Sequence, residues 1–304
     1  MLKVVFLITV TAAIFSLTAF SDYDFFLLDL GAHFRMQYLC LGAVSLGIFL
    51  SRRKTAFACL AAVCVAANVI AIFPYYCAAP SASATTKPYR MLLTNVRTVN
   101  RNYGGVLDVV RREQPAVAVF LEVDEAWAAR LDALSDLYPH RAVMPRSDNF
   151  GLAVFTRDKP VSDRRGPFAQ GQPPSIIVEL ERDGRMLHVV ATHPVPPMDP
   201  RMHDLRNAQL ASIAEQINAL HGDVAVLGDL NVTMWSPHFR RLLIRANLED
   251  ARRGFGILPT WPADNPLLSI PIDHCLLRGG LRVANLRTFS TNGSDHFGLI
   301  ADLS

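Results

Sequence analysis

The sequence predicts a mixed α/β domain with a layered, two-sheet arrangement, preceded by an apolar helical section at the N-terminus. Three observations lead there. The 304-residue chain has a mean hydropathy of +0.22 and 19% charged residues, an apolar excess that excludes a disordered, collagen-like or coiled-coil chain. That excess is concentrated in residues 1–76, which hold five cationic side chains (Lys3, Arg35, Arg52, Arg53, Lys54) and three acidic ones (Asp22, Asp24, Asp29). From residue 89 onward, short β-type runs alternate with helical stretches, and the strands outnumber those a simple doubly wound sheet needs.

Taken in order, residues 4–20 form an apolar run whose only polar members are Thr and Ser, and residues 56–76 form a second, interrupted by Asn68. Each is close to the length needed to cross roughly 30 Å of hydrocarbon as a helix. Residues 36–50, apolar apart from Gln37 and Ser45, make a shorter third span, with a buried hairpin as its alternative. Lys3 gives the first run the charged start of a signal peptide, but no small-x-small cleavage site precedes Ser21. The cluster at 51–54 (Ser-Arg-Arg-Lys) is the dense positive loop, whereas residues 21–33 carry three aspartates and no Lys or Arg. The positive-inside rule then places 51–54 in the cytoplasm. Three crossings of an inner or plasma membrane put the rest of the chain on the exoplasmic, periplasmic side. Residues 77–88, small, polar and proline-bounded, read as a linker to a domain at 89–304.

That domain is formally neutral, because residues 88–304 contain 24 basic and 24 acidic side chains. Cys275 is its only cysteine, which excludes a disulfide scaffold and a Cys-rich zinc site. Strands are expected at 91–95, 117–123, 151–156, 176–180, 187–192, 224–230, 272–277 and 297–303, and helices at 105–113, 125–137, 203–220 and 237–246. In the third helix Leu210, Ile213, Ile217 and Leu220 share one face.

Five of these strands begin or end in a group suited to metal and phosphate chemistry: Asn95, Glu122, His193, Asp229 with Asn231, and Asp295 with His296. Side chains alternate across a strand, so Asp229 and Asn231 point the same way and offer a carboxylate and an amide side by side. Glu122 follows Val-Ala-Val-Phe-Leu, where a buried carboxylate is costly unless paired or bound to a cation.

The chain resembles the endonuclease/exonuclease/phosphatase superfamily of metal-dependent phosphoesterases, and within it the membrane-tethered bacterial members. The matching motifs are Leu-Thr-Asn-Val-Arg (93–97), Phe-Leu-Glu-Val (120–123), Phe-Gly-Leu-Ala-Val-Phe-Thr-Arg (150–157), Ala-Thr-His-Pro (191–194), Gly-Asp-Leu-Asn (228–231), Ile-Asp-His (272–274) and Ser-Asp-His-Phe (294–297). They stand in the family's order and leave residues 1–76 unaddressed. The resemblance implies a four-layer α/β sandwich, two facing β-sheets flanked by helices, with a metal site at one rim. It implies metal ligation by Glu122, with Asn95 and Asp295 close to the same ion, and water orientation or deprotonation by Asp229. It further implies phosphate contact by Asn231, charge stabilisation by His296 held by Asp273, and protonation of the leaving oxygen by His193. Hard oxygen ligands of this kind suit Mg²⁺ or Mn²⁺. Two residues after Asn95 stands Arg97, where the abasic-site endonuclease branch carries an acid, so abasic-site repair is disfavoured and a substrate-binding role for Arg97 is expected.

Trp261 is a candidate substrate-stacking residue, with a core position as its alternative, and Arg206 matches an arginine often found in that helix or is a solvated charge. His188, His203, His221, His238 and His274 are read as structural or surface residues, and His193 has a turn-shaping alternative before Pro194. The expected function is a membrane-anchored, divalent-metal-dependent phosphodiesterase or phosphatase working by in-line attack of an activated water. The alternatives are a nuclease acting on DNA or RNA and an inactive membrane-tethered binding module, which would show losses among the site residues; none is lost. The substrate is expected to be a phosphoester, in a lipid head group, a small phosphodiester or a nucleic acid. No protein partner follows from the sequence.

Overall fold

A computed structural model describes residues 2–18, 20–77 and 88–304; the linker expected at 77–88 lies almost wholly outside the described residues. Four N-terminal helices come first: α1 (Leu2–Thr18), α2 (Phe26–Ala32), α3 (Arg35–Ser51) and α4 (Thr55–Ile72). α1, α3 and α4 run over the three apolar stretches. α2 falls in the segment read as a loop, because its acidic Asp29 is not solvated there but buried against the rest of the chain.

The interior of α1, α3 and α4 is mostly small and polar: Thr9, Ala12, Ala13, Ser16, Gly42, Ser45, Ala58, Ala61, Cys64, Ala67 and Asn68 are buried, together with the larger Arg35, Phe49 and Ile72. Large apolar residues face outward, among them Leu7, Val44 and Ile70, each more than 60% exposed. Asn68 ties the helices together, its Nδ2 donating to Ser16 Oγ at 2.7 Å and its Oδ1 accepting from Arg35 Nη1 at 3.2 Å. Among the described residues, Thr55–Tyr75 is the one helix long and apolar enough to cross a membrane, with a hydropathy of 2.5, and α2 and α3 would form a second span only as a pair bent by 73°. Leu2 packs with Phe49 and Phe57, so Lys3 shares an end with Arg52, Arg53 and Lys54. The opposite end meets the α/β domain.

The domain comprises β1 (Tyr89–Asn95), α5 (Tyr103–Glu113), β2 (Val117–Leu121), α6 (Glu125–Leu131), β3 (His140–Met144), β4 (Leu152–Thr156), β5 (Ser162–Pro167), β6 (Pro174–Arg182), β7 (Arg185–Thr192), α7 (Pro200–Asn218), β8 (Asp223–Asp229), α8 (Pro237–Ala246), β9 (Glu249–Asp250), β10 (Asp273–Arg278), β11 (Val283–Phe289) and β12 (Gly298–Leu303). One sheet has the order β11-β12-β1-β2-β4-β3 and the other β5-β6-β7-β8-β10-β9. Within each, one central pair is parallel, β1 with β2 and β7 with β8, as a helical crossover demands. The sheets face each other over a core built from both, including Leu93, Val119, Val154, Val178, Val189 and Leu227. α5 and α6 cover the outer face of the first sheet, and α7 and α8 that of the second. This is the four-layer α/β sandwich, and its central strands are buried on both faces, which explains their near-continuous apolar sequences.

The helix expected over 125–137 is shorter. Asp124 caps α6 by accepting from Trp127 N at 2.7 Å, and after Leu131 the chain tightens into a 3-10 turn at Asp132–Leu134.

The joint between the two sections is part of the domain core. Ile72 and Tyr75 pack with Ile213, Ile217 and Phe239, Tyr75 O accepts from Gly256 N at 2.7 Å, and Ala71 O accepts from Trp235 Nε1 at 3.3 Å.

Candidate active site

The functional side chains converge where the C-terminal end of β1 and the β2 exit from one sheet meet β8 and the start of β10 from the other. Register accounts for this: Asn95 is beside Leu121, one residue before Glu122, in the parallel β1–β2 pair, and Asp229 is opposite Asp273 in the antiparallel β8–β10 pair. Gly228 is required by close approach, since a Cβ there would lie 2.2 Å from Thr192 O on β7. Arg97, Glu122 and Asn231 all adopt left-handed backbone, with φ of 59°, 61° and 50°. Such conformations cost of order 1–3 kcal/mol each and persist only where surroundings impose them, typically at functional sites.

Asn95, wholly buried, sits at the centre. Its Nδ2 donates to Glu122 Oε1 at 2.8 Å and lies 3.4 Å from Asp229 Oδ2, and its Oδ1 accepts from Arg97 N at 3.0 Å. Thr98 N donates to Glu122 Oε2 at 3.2 Å and Thr98 Oγ1 to Glu122 O at 2.9 Å, fixing the carboxylate from behind. His296 Nδ1 is 2.9 Å from Asp273 Oδ2, and its Nε2 is 3.7 Å from Asp229 Oδ2. His193 Nε2 approaches the same Asp229 oxygen at 3.4 Å. Asp229 Oδ1 accepts from Asn231 N at 3.0 Å, while Asn231 Nδ2 donates to Pro194 O at 2.9 Å, leaving the amide one N–H.

The ten residues singled out from the sequence do not all sit equally close. Asp229, Asp273 and His296 present ligand-type atoms within 4.8 Å of one another. Glu122 joins them through Asn95. Asp295 stands at the rim, its Oδ1 3.6 Å from Arg97 Nε and its Oδ2 accepting from Trp261 Nε1 at 3.3 Å. Trp261 is 38% exposed with its ring centre 6.4 Å from that of His296, so it borders the site and is not a core residue.

The charges are ordered by these contacts. Burial opposes protonation of His296, but the Asp273 carboxylate, with Asp229 and Asp295, outweighs it and holds the ring up to about 10. Burial likewise works against ionisation of Asp229 and His193, yet each stabilises the other's charged form, moving Asp229 down and His193 up. At neutral pH the site therefore holds the buried Asp229 carboxylate beside a cationic His296, with His193 on its other side held towards its charged form.

Several supporting residues escaped the sequence reading. Ser294 Oγ donates to Asn95 O at 2.7 Å and accepts from His296 N at 3.1 Å, and its place in Ser-Asp-His-Phe was the available signal. Thr98, and Thr260 whose Oγ1 accepts from Asp273 N at 3.2 Å, had none. Arg206, for which a solvated helix charge is one of two readings of the sequence, is wholly buried.

The donor set fits a hard divalent cation: the half-buried Glu122 and Asp295 offer carboxylate oxygens and the buried Asn95 an amide oxygen, and none of the three is a thiolate or imidazole.

Comparison with known proteins places these features. A model of the Endonuclease/Exonuclease/phosphatase family matches residues 92–296. No curated protein matches the chain. Solved structures of similar fold include a humanised TDP2 from D. rerio (TM-score 0.62, 15% identity, covering 72% of this chain and 100% of that one). Others are an endonuclease/exonuclease/phosphatase from Beutenbergia cavernae (0.61, 19%, 72% and 72%) and the human Nocturnin catalytic domain (0.60, 19%, 72% and 94%).

Proposed function

Because the chain belongs to the Endonuclease/Exonuclease/phosphatase family and is a metal-dependent phosphoester hydrolase, we propose that it is a membrane-anchored phosphodiesterase or phosphatase that uses Mg²⁺ or Mn²⁺ and acts on the exoplasmic face. The observation that carries the chemistry is the buried Asp229 carboxylate shared between His193 and His296, with Asp273 behind the latter.

Glu122, Asn95 and Asp295 would hold the cation. Once bound, it supplies charge neutralisation for the phosphate and for the oxygens that become more negative in the transition state. Asp229 orients the attacking water and takes its proton, which its anionic state at neutral pH permits. The water attacks phosphorus in line with the departing oxygen, and protonated His193 gives that oxygen a proton as the P–O bond breaks. His296 stays cationic, because its proton is held against Asp273, and stabilises the phosphoryl oxygens. Asn231 adds its remaining N–H, and Arg97, on the rim, grips a phosphate oxygen from outside.

What supports anchoring is the inverted packing of α1, α3 and α4, small and polar inside and large and apolar outside, which suits hydrocarbon rather than water. The collection of Lys3, Arg52, Arg53 and Lys54 at the end remote from the domain agrees with the exoplasmic orientation. The neutral domain favours a substrate gripped by one or two phosphates, such as a lipid head group or small phosphodiester. Exposed Leu267 and Leu268, in the loop that begins at Trp261 and reaches α3 through Gln37 Nε2 donating to Leu267 O at 3.0 Å, favour an apolar surface beside the site. A second reading, nucleic acid, is favoured by another structure of similar fold, D. rerio TDP2 complexed with a single-strand DNA product.

The test uses the full chain in detergent, since its N-terminal helices enter the domain core. DNA, RNA, sphingomyelin, phosphoinositides and an aryl phosphodiester are assayed with Mg²⁺ and with EDTA. Mg²⁺-dependent turnover of the lipid or aryl substrates above the nucleic acids supports the reading. Preference for DNA or RNA replaces it with the second.

A further inference from the structure

The residues that follow the catalytic carboxylate are gripped from outside the domain. Arg206, in α7, donates from Nη1 to Asn231 O at 2.8 Å and from Nη2 to Asp29 Oδ2 at 2.5 Å, so the two prongs of one guanidinium join α2 to the Asp229-Leu230-Asn231 turn. Both side chains are fully buried. Asp29 is further held by Ser236 Oγ at 2.5 Å and lies 3.3 Å from His203 Nε2. Two more contacts seize the same loop: His33 Nδ1 is 3.0 Å from Thr233 Oγ1, and Trp235 Nε1 donates to Ala71 O at 3.3 Å. Residues 231, 233 and 235 are therefore each fastened, directly or through Arg206, to the N-terminal helices.

From this geometry we infer that Asp29, acting through Arg206, is a positioning residue for catalysis, so that the N-terminal section is a working part of the active site as well as a tether. The path is short. Asp29 fixes the Arg206 fork, the fork holds the Asn231 carbonyl, and Asn231 N donates to Asp229 Oδ1 at 3.0 Å. Asn231 sits at φ 50°, a backbone state that relaxes unless its neighbours enforce it. Releasing the carbonyl lets the turn relax and swings the Asp229 carboxylate off the line between His193 and His296. A buried guanidinium left without its carboxylate adds a reason for the turn to move, because an uncompensated buried charge draws in water.

The rim of the same joint supplies a control. Asp22, 75% exposed at its side chain, pairs with Arg241 Nη2 at 2.8 Å and touches nothing in the catalytic turn. The experiment compares full-length wild type, Asp29→Asn, Thr233→Val and Asp22→Asn, all with Mg²⁺ and bis(4-nitrophenyl) phosphate, at a temperature where circular dichroism reports each as folded. Hydrogen–deuterium exchange is followed in the peptide covering residues 229–235. Asp29→Asn is expected to lower kcat about 10-fold or more with KM changed less than about 2-fold, as displacement of a catalytic group does. The same variant should speed exchange in that peptide. Thr233→Val, which removes one fastening without stranding a charge, should give a smaller loss of the same kind and serves if Asp29→Asn does not fold. Asp22→Asn should leave kcat and exchange unchanged. Wild-type kcat and exchange in the folded variants, or an equal kcat loss in Asp22→Asn, overturns the inference.

Discussion

The two sections of this chain bury side chains in opposite senses. In the α/β domain the interior is chiefly Val, Leu, Ile and Phe, and the charged groups buried outside the site and the joint are few and bonded, as Asp302 is to Arg90 and Asp223 to Arg185. In the N-terminal helices most buried positions are Ala, Gly, Ser, Thr or Asn, with Phe49 and Ile72 as large exceptions, and many Leu, Val and Ile side chains point outward. Apolar content alone does not decide which surface is inside; the solvent does. In water, burying large apolar side chains stabilises by about 1.5–3 kcal/mol each. In hydrocarbon that drive is absent, and close contact between small residues with an occasional interhelical hydrogen bond takes over. Where the sections meet, the two kinds of contact stand side by side: Ile72 and Tyr75 extend the apolar core of the domain, and beside them lies a buried polar network centred on Asp29 and Arg206.

The sharpest way to break the contrast is to ask which solvent each section meets in the cell. Alkaline phosphatase fused after Lys87 in a bacterial host should be active, and green fluorescent protein fused there should be dark. The reverse pattern would place the catalytic domain in the cytoplasm.

Next in size is the domain's own chemistry. Asp273→Asn and His296→Ala should each lower kcat by about 100-fold or more, and the double variant should fall little further, because one acts only through the other. Additive losses in log rate, measured on the aryl diester, would separate them.

The joint should respond to acid. Burial, with the Arg206 charge nearby, outweighs Asp29 and Asp24 and keeps His238 neutral, its pKa lowered to about 4 from an ordinary 6.5. Since the folded value lies below the unfolded one, its contribution is intact above 6.5 and is lost as pH falls from there towards 4. The melting temperature of the full chain should therefore drop by a few degrees, about 2–4 °C, across that window. His238→Gln should flatten the drop, and an unchanged slope in that variant would assign the acid sensitivity elsewhere.

The smallest effect concerns the domain's outer field. With 24 charges of each sign in residues 88–304, an Asp229→Asn full-length chain should bind a duplex of about 20 nucleotides with a log–log salt slope shallower than about −5. A steeper slope would favour a nuclease.

Legibility of the sequence followed burial. All eight expected strands are present, and the four that went unread, β3, β5, β9 and β11, are the edges of the two sheets. An edge strand packs on fewer neighbours and carries charge against aggregation, so β5 reads Ser-Asp-Arg-Arg-Gly-Pro and shows no apolar alternation. The site residues other than Trp261 were readable because they stand at or just beyond the end of an apolar strand inside a short motif; Trp261 lies in the loop before β10. What could not be read is tertiary. Nothing local distinguishes Asp29 from the solvated Asp22 and Asp24 beside it, or Arg206 from any charge on an amphipathic helix. Their pairing joins positions 177 residues apart.

The central claim is that the assembled side chains hydrolyse phosphodiesters with a divalent cation held by Glu122. Glu122→Ala, compared with wild type in full-length form, tests it most directly. The wild type should turn over bis(4-nitrophenyl) phosphate in Mg²⁺ and stop in EDTA, and the variant should lose several orders of magnitude, roughly 1,000-fold or more, in Mg²⁺. Full activity of the variant, or of either protein in EDTA, would contradict the account.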